Sequence, residues 1–596
     1  LVYGRFAFLH DRVQQAAYAM LSEGDKPALH LAVGRVMLDG ATAAQLENRL
    51  FDVVNHLNHG VALIVDRTER LRLAELNVRA GMKARDATAY ELAVRCFRYA
   101  VDLLGEQAWN DRQEVVCDVH QRLAESLGLV ADYNGAFAVL DAALARARSM
   151  IDKAKLYTIK TSVLLIMGRI PAALACGRDA ARMFNVDLPE EKAQVRAHLQ
   201  REIQTILERT AEIGIENLLD LPVMSDPANV ALLGLLMHCL PAAYQYDQDS
   251  YALLTCTMVR VSLDHGNSPL SARAYGSFAA LVVSALRRYD EGYRFAKLGV
   301  DLAQKLNDPS MLSGVYFLWA MFASHWRRPV DESIDLYRQS IQYGLQSGDH
   351  LHAGYSAARR FSHMQFRGTP LDELREDGNA TMELLQRIGD ATNTEFVTPR
   401  LRFIDWLQGN RRHGNTLGSD EHDEAACTAI IQARGNRSFE YDWFLRLAML
   451  RYYAGEFAAA YELARTAEAL IPYSAGFITR GEQAAFFALA ITALYGNANA
   501  EQRAVFDAEL AACRESLREW AEGCPANCGH LHLLVEAEAA RIAGQRIEAA
   551  DCYERAIHAA RGASFVNIEA LAAELAARFW FADGKPDIGK VYLDKA

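Results

Sequence analysis

The stretch "FAAAYELARTAEALIP", residues 457–472, decides the fold. Phe457, Ala460, Ala464 and Ala467 recur at offsets of three, four and three, which places them on one face of a helix. The small alanines let a second helix approach closely, and the aromatic ring fills the space toward the next pair. Pro472 closes the helix. The stretch therefore predicts a helix that packs face to face against a partner helix.

The same phase returns in five other stretches of the chain. They carry Tyr90, Ala93, Phe97 and Ala100; Tyr133, Ala136, Leu140 and Ala143; Ile170, Ala173, Gly177 and Ala180; Tyr289, Gly292, Ala296 and Gly299; and, behind Arg546, Ala549, Tyr553 and Ala556. Another apolar helix and a short turn precede each stretch, as in "AGEF" at 454–457, "VADY" at 130–133 and "MGRI" at 167–170. The chain is thus predicted to consist of repeated helix–turn–helix units.

This pattern resembles the tetratricopeptide repeat, a helical hairpin of about 34 residues that stacks into a superhelix. The resemblance implies an all-α fold, an α–α superhelix in which some repeats are degenerate or longer, because the matches are unevenly spaced. Ala136, Ala173, Ala460 and Ala549 are expected to be buried at helix–helix contacts.

The composition of the chain limits the classes of partner and compartment that are expected. The chain has 596 residues, 51% hydrophobic and 23% charged, with a formal net charge of −12, so a nucleic-acid partner is not expected. Ten cysteines are sparse, and Cys96, Cys176, Cys239 and Cys256 lie in apolar helical patterns, which favours a reducing cytoplasm. The most apolar run, 230–244, is short and contains His238 and Pro241, so we expect a buried helix and no membrane span.

The pattern divides the chain into six segments. We predict the tail of a winged-helix module and a linking helix (1–40), N-terminal repeats (41–184), a charged helical connection (185–230), central repeats (231–407), a polar loop-rich segment (408–438) and C-terminal repeats (439–596). Within the polar segment, a mobile loop is expected near 409–423.

The beginning of the chain departs from the repeat. "GRFAFLHDRVQQAAYAML", 4–21, opens with alternation at Phe6, Phe8 and His10, and continues as a helix with Asp11 as N-cap and Gln14 three positions on. It is similar to the end of a winged-helix module of the kind that follows the nucleotide-binding domain in STAND-type ATPases. The chain opens on Leu1, so we expect a piece of a longer protein.

An ordered series of stretches carries a second resemblance. The series is "FAFLHDRVQQAAYAML", "HLAVGRVML" (30–38), "FDVVNHLNHG" (51–60), "ERLRLAELNVRAGMKARDATAYELA" (69–93), "HWRRP" (325–329), "CPANCGHLHLLVEAEAARIAG" (524–544) and "EALAAELAARFW" (569–580). It resembles the region between the AAA-type ATPase and the sensor/kinase modules of bacterial multi-sensor signal transduction histidine kinases. That implies an ATPase before residue 1, sensors and a histidine kinase after residue 596, and ATP or ADP with Mg²⁺ in those modules, with no cofactor in this chain.

"CPANCGHLH", 524–532, places two cysteines beside two histidines. Cys524 and Cys528 with His530 and His532 do not have a standard zinc spacing, and the two histidines would point to different sides of a helix. In the resembling family this turn reads Cys-Pro-x-Asn-Phe-x-His, so Cys528 replaces an aromatic. We predict no metal here: Pro525 ends the preceding helix, and Asn527 caps the helix that starts near residue 528.

The sequence contains no recognised catalytic motif: no GxxxxGK[ST] loop, HExxH, GxSxG or kinase signature. The resemblance makes His10 a candidate sensor of a nucleotide phosphate; the alternative is a histidine that closes the strand at a domain junction. "HWRRP" is either an exposed recognition patch or, more commonly, a helix end with its Trp in the core. "SDEHDEAA", 419–426, is either a cation site or, more commonly, a solvated acidic loop.

These observations lead to a non-catalytic helical-repeat segment that couples an ATPase to a kinase and binds a protein or peptide ligand on its concave face. Two alternatives stay open: an oligomerisation scaffold that forms a homo-oligomer, and a small-molecule sensor with a pocket inside the superhelix. The other partners expected are the ATPase and sensor/kinase modules of the same polypeptide.

Overall fold

Helices make up almost all of the ordered architecture of this protein. The computed structural model describes residue 16 and residues 18–410 and 413–596, with 245 and 246 described by their backbone alone. Within those ranges the structure contains no β-strand, only one isolated parallel bridge between Val223 and Asn267. The predicted all-α class is confirmed. The predicted winged-helix remnant, with Phe6, Phe8, His10, Asp11 and Gln14, lies outside the described residues.

The chain divides into two compact units. Unit 1 comprises the residues up to 195 together with 226–251, and unit 2 comprises 196–225 together with 252–596. The helices of unit 1 are α1 Lys26–Asp39, α2 Ala43–Asn48, α3 Leu50–His59, α4 Arg67–Asp86, α5 Tyr90–Leu104, α6 Ala108–Asp111, α7 Gln113–Leu129, α8 Tyr133–Arg146, α9 Met150–Ile166, α10 Ile170–Arg182 and, beyond α11, α12 Pro227–Tyr246.

Unit 2 holds the longer run of hairpins, and α11 and α13 belong mostly to it. Its helices are α11 Lys192–Ile213, α13 Gln248–His265, α14 Pro269–Ser284, α15 Tyr289–Lys305, α16 Pro309–Leu318, α17 Val330–Ser347, α18 His350–Arg367, α19 Leu371–Arg387, α20 Ala391–Leu407, α21 Glu424–Ala433, α22 Arg437–Tyr453, α23 Phe457–Glu468, α24 Thr479–Leu494, α25 Ala500–Gly523, α26 Pro525–Ile542, α27 Arg546–Gly562, α28 Val566–Ala582 and α29 Pro586–Leu593.

In both units, helices that follow one another along the chain pack as hairpins, as α4 with α5 and α26 with α27. The four alanines chosen from the repeat phase, at positions 136, 173, 460 and 549, are all no more than 1% exposed. That prediction is confirmed, and each unit is a stack of α–α hairpins of the superhelix class.

In many of the hairpins the turn places one residue in the left-handed region, two positions before the second helix. Gly455 occupies it before α23 with a φ of 80°, and Ala131 occupies it before α8 with a φ of 60°. Glycine adopts this region at little cost, whereas a Cβ is disfavoured there by roughly 1 kcal/mol. The glycines that recur in the turns therefore meet a backbone requirement, whereas a recurring Asp such as Asp132 caps the second helix.

One buried polar pair fixes the register between α3 and α4 of unit 1. Asn58 of α3 donates to Asn77 of α4 over 2.8 Å, and Asn77 donates back over 2.9 Å. Asn77 also donates to the carbonyl of Leu73 at 3.0 Å. Because a slip along the helix axis would leave two buried amides without partners, this pair fixes how α3 and α4 align.

Candidate functional site

Two sequence segments noticed for their composition, "HWRRP" and "CPANCGHLH", lie against each other in unit 2. His325 and Trp326 are buried, at 1% and 3% exposure, while Arg327 and Arg328 are exposed. The interpretation of "HWRRP" as a helix end with its Trp in the core is therefore correct, and the exposed patch is limited to the two arginines. We refer to the contact between residues 287–330 and residues 476–530 as the closure.

Asn527 is the centre of the closure. Its side-chain oxygen accepts the backbone N–H of Val330 over 2.9 Å, and its side-chain nitrogen donates to the carbonyls of His325 at 2.7 Å and Arg328 at 2.8 Å. Asn527 thus caps the start of α17, a helix about 200 positions earlier. The prediction that it caps its own helix was wrong: α26 begins at Pro525, so Asn527 is already inside the first turn. The predicted end of the preceding helix is correct, because α25 ends at Gly523.

The chain approaches Asn527 through a wide helical turn. Residues Trp319–Ala323 form a π-helix that continues α16, and a 3₁₀ turn, Ser324–Trp326, follows it. Such π-turns are rare and are frequently found at functional sites. Here the turn releases the carbonyls of His325 and Arg328 from helical bonding and makes them available to Asn527.

The His325 ring sits between two carbonyls from opposite sides of the closure. Its Nδ1 lies 3.3 Å from the oxygen of Ala320 and its Nε2 lies 3.1 Å from that of Gly476, and the Trp326 indole donates to the same Gly476 oxygen at 3.3 Å. Burial lowers the pKa of His325 to about 4. The ring is therefore neutral, and it donates from one nitrogen only.

Aromatic rings surround this hydrogen-bonded centre. Trp326 packs against Trp520 and Tyr289, each with ring centroids 5.4 Å away, and the Trp520 indole donates to the Tyr289 hydroxyl at 3.1 Å. The guanidinium of Arg480 lies 5.0 Å from the Trp520 ring. Arg287 pairs with Glu519 at the edge. These contacts join α15 and the turn before it to α25, more than 200 positions later.

Two more histidines are buried near the same contact. His363 of α18 lies edge-on to His325 at 5.6 Å, and burial together with His325 lowers its pKa well below the ordinary value. His530 packs on Phe565 at 4.2 Å, and burial lowers its pKa to about 3. Neutral rings at these positions favour a packing role over acid–base chemistry at neutral pH.

The cysteines of the opening motif are buried thiols. Burial raises the pKa of Cys524 and, more strongly, that of Cys528, so both stay protonated. Across 18–410 and 413–596, no group of three or more His, Cys, Asp or Glu is placed to hold a metal ion. His530 and His532 differ in burial, as expected for different sides of a helix.

A buried ionic chain lies behind the closure and joins α18, α20, α22 and α24 of unit 2. Arg400 of α20 donates to Gln365 of α18 and to Asp442 of α22, and Arg446 of α22 pairs with Glu482 of α24, with one N–O distance of 3.3 Å. Both arginines are fully buried. Burial lowers the pKa of Arg400 to about 10, so both guanidinium groups remain charged at neutral pH.

The acidic stretch at 419–426 is used internally. Asp423 accepts the N–H of Ala426 at 2.8 Å as the N-cap of α21, and Glu424 pairs with Arg451 at 2.7 Å. Residues 419–423 form a loop, as expected, but Glu424–Ala426 already belong to the first turn of α21, and Glu424 is ion-paired rather than solvated. The mobility expected for 409–423 stays a prediction.

Unit 1 contains an open pocket of about 360 Å³ between α1, α3 and α4, with an apolar floor that includes Leu57, Leu73 and Leu76. Arg35 and Glu69 form a two-bond ion pair at its rim, with both bonds 2.7 Å long. The volume lies at the small end of ligand pockets.

Of the described residues, one helix is long and apolar enough to cross a membrane. It contains the stretch Pro227–Tyr244, whose mean hydropathy is 1.3 and of which 44% is buried. It packs against α9 and α10 of unit 1.

Stacked α–α hairpins with a buried internal closure define a TPR-like helical-repeat protein. No family model matches the chain. A similar protein is the hybrid signal transduction histidine kinase G of Dictyostelium discoideum, 24% identical over 454 residues. That match covers 68% of this chain and 13% of the relative, so the chain spans a small part of that protein's length.

Three solved structures illustrate the course of chain that this protein shares with known proteins. The Cut9–Hcn1 hetero-tetramer of the APC/C has a TM-score of 0.43 at 10% identity (98% of this chain, 95% of the other). A STAND-type signal transduction ATPase with a tetratricopeptide repeat sensor from Pyrococcus horikoshii has 0.24 at 11% (99% and 68%), and Ypp1 has 0.35 at 10% (96% and 89%). At these scores the likeness carries no functional argument.

Proposed function

We propose that this chain is the non-catalytic helical-repeat segment of a multidomain signal-transduction ATPase/histidine kinase, and that it couples the ATPase to the kinase by binding a protein or ligand. The observation that supports this most is the similarity to 13% of the length of a hybrid histidine kinase. A module that occupies a small part of such a protein, and whose cysteines and histidines at the candidate site are buried and uncharged, is suited to transmitting a state rather than to chemistry.

The closure supplies the two states that such coupling needs. It ties α15–α17 to α24–α26 through side chains 150–230 positions apart. A partner that binds the inward face of α16–α18 competes with these contacts and therefore binds the open form. Its binding free energy shifts the equilibrium from closed to open, and a neighbouring module that prefers one form responds.

The remaining expectations belong to this proposal. ATP or ADP and Mg²⁺ would act in the neighbouring ATPase, His10 would sense its nucleotide phosphate, and the protein would work in the cytoplasm. An oligomeric scaffold would instead give a mass in solution that is a multiple of the protomer, and a small-molecule sensor would co-purify with a ligand.

The test uses the full-length parent protein and the substitution Asn527→Ala. The variant removes three hydrogen bonds of the closure and should weaken it. We expect the ratio of kinase autophosphorylation with and without nucleotide on the ATPase to change by at least about fivefold, because coupling energies of 1–3 kcal/mol correspond to such factors.

Asn499→Ala is the matched control. Asn499 is also an asparagine with amide hydrogen bonds, but it caps α25 at an exposed site and does not take part in the closure. It should leave the ratio unchanged. If Asn527→Ala opens the closure, as hydrogen exchange of residues 324–335 would report, and the ratio still equals that of the wild type, the coupling proposal is wrong.

A further inference from the structure

Three histidines meet where α1 packs on α3 in unit 1. The Nδ1 atoms of His30 and His56 lie 2.8 Å apart, and the Nε2 of His30 lies 2.9 Å from the hydroxyl of Tyr18. The His59 ring stacks on His30 with centroids 4.6 Å apart and an angle of 25° between the planes. His30 comes from α1, while His56 and His59 stand one turn apart on α3.

The helices α1 and α3 pack so closely that the histidine rings cannot move apart unless the helices themselves move. A Cβ on Gly34 of α1 would lie 2.7 Å from the Leu57 side chain, and a Cβ on Gly60 would lie 2.6 Å from Leu31. The glycines therefore permit backbone-to-side-chain contact directly beside the histidines. Repulsion between the rings would act on the whole contact between α1 and α3.

The hydrogen bonds from Tyr18 through His30 to His56 form a chain in which each donor and acceptor can exchange roles. With both rings neutral, the Tyr18 hydroxyl donates to Nε2 of His30, and Nδ1–H of His30 donates to Nδ1 of His56. One added proton is accommodated by reversal: Nδ1–H of His56 donates to His30, and Nε2–H of His30 donates to the Tyr18 oxygen. A second added proton places two N–H groups against each other, 2.8 Å apart, and gives both rings a positive charge.

Of the carboxylates on the flanking elements, Glu23 and Glu69 are already paired with cations, so they offer little compensation for that charge. Burial, His59 and His56, in that order, lower the pKa of His30. In the segment leading into α1, Glu23 is engaged with Lys26, whose ammonium lies 5.0 Å from the Tyr18 ring. On α3, Asp52 stands one turn before His56. On the α4 side, Glu69 is paired with Arg35.

We propose that His30, His56 and His59 form a proton-responsive joint, in which α1 stays docked on α3 with at most one shared proton and is released when a second binds. Acidification from about pH 7 toward pH 5 crosses the range in which an unburied histidine titrates. When α1 is released, the histidines of α1 and α3 bind protons that they do not bind in the docked form. Docking therefore weakens as pH falls. This proposal stands on the cluster alone and is independent of the proposed function.

Hydrogen exchange of the full chain between pH 7.5 and pH 5.0, corrected for the intrinsic rate, tests the joint. Peptides covering 26–39 should lose protection by at least about tenfold, the equivalent of one pKa unit of linkage. His56→Gln keeps an amide that can bond to His30 but cannot charge, and it should abolish most of this loss. His238→Gln is the control, since His238 is exposed and bonded only to Gly234 of its own helix; it should leave the loss unchanged.

A second variant covers the case in which His56→Gln fails to dock at pH 7.5. His59→Gln removes only the stacked ring, so α1 should dock as in the wild type and lose protection over the same pH range by a smaller factor. Protection of 26–39 that is constant from pH 7.5 to 5.0 in the wild type overturns the proposal. A loss of the same size in His59→Gln and in the wild type does so too.

Discussion

Unit 1 and the closure of unit 2 use the same kind of side chain over very different distances along the chain. The buried amides Asn58 and Asn77 join two consecutive helices 19 positions apart, whereas Asn527 reaches Val330, 197 positions away. The first contact is part of a hairpin stack that each repeat can form with its neighbour. The second contact forms only because the rotations between the many intervening repeats bring its two segments together. Local stacking gives a repeat protein its stability, and the distant contact gives unit 2 a defined closed state.

The largest effect should come from the ionic chain behind the closure. Arg446→Ala leaves Glu482 as a buried carboxylate without its partner, which should lower the free energy of unfolding of unit 2 by about 3–5 kcal/mol. Urea unfolding followed by hydrogen exchange, resolved by unit, measures this. Arg67→Ala in unit 1 breaks an ion pair with Asp111 that is nearly half exposed, and it should lower the free energy of unfolding of unit 1 far less, because solvent screens such pairs. Equal losses for the two variants would contradict the difference drawn between the units.

Acid should weaken the closure by a smaller amount. Burial lowers the pKa of His325 to about 4, below the ordinary 6.5. Between these values the unfolded chain binds a proton that the folded chain refuses, so stability present above pH 6.5 is lost as pH falls toward 4. The loss from this ring is about 3 kcal/mol at about 1.4 kcal/mol per pKa unit.

Hydrogen exchange of Val330 and its neighbours, followed from pH 7 to pH 4.5, checks this acid effect. His325→Gln should make the profile less steep, and the slope that remains comes from the buried His363 and His530, whose pKa values are also lowered. A profile that is equally steep in the variant would show that His325 is not the source.

The third-largest effect should come from overpacking one helix–helix contact of the repeat. Ala460 is 1% exposed, on the buried face of α23. Ala460→Leu inserts a side chain where α22 and α24 approach, and it should cost roughly 1–3 kcal/mol in thermal unfolding. Ala459→Leu, on the exposed side of the same helix, is the matched control and should shift the melting temperature little. A neutral Ala460→Leu would show that the repeat phase was assigned to the wrong face.

The smallest effect concerns the turn. Ala131 has a φ of 60° at the position where Gly455 serves in another hairpin. Ala131→Gly should raise the stability of unit 1 by roughly 0.5–1 kcal/mol, and Gly455→Ala should lower that of unit 2 by a similar amount. Thermal melts of both variants compare the units directly. Changes of the same sign in both would mean that the two turns are not equivalent.

The hairpins could be predicted from the sequence because their determinants are local. The spacing of Ala136 and Ala460, and the Gly or Asp of the turns, act within about forty residues. The closure could not be predicted in the same way. "HWRRP" and "CPANCGHLH" both drew notice, yet nothing in either stretch says that they meet, since their meeting depends on the summed geometry of the repeats between them. Asn527 is an example of the resulting error. An asparagine two positions after a proline fits a local N-cap, and nothing near it in the sequence indicates its distant partner.

The span of the closure also has a consequence in time. During synthesis, the ribosome delivers His325 and Trp326 about 200 residues before Asn527, at roughly 5–20 residues per second. For an interval on the order of ten seconds or more, the early half of unit 2 exposes the aromatic and carbonyl groups that its late half will cover. Nascent chains that stop before residue 527 should therefore be the form of this protein most dependent on chaperones, even though every hairpin they contain is complete.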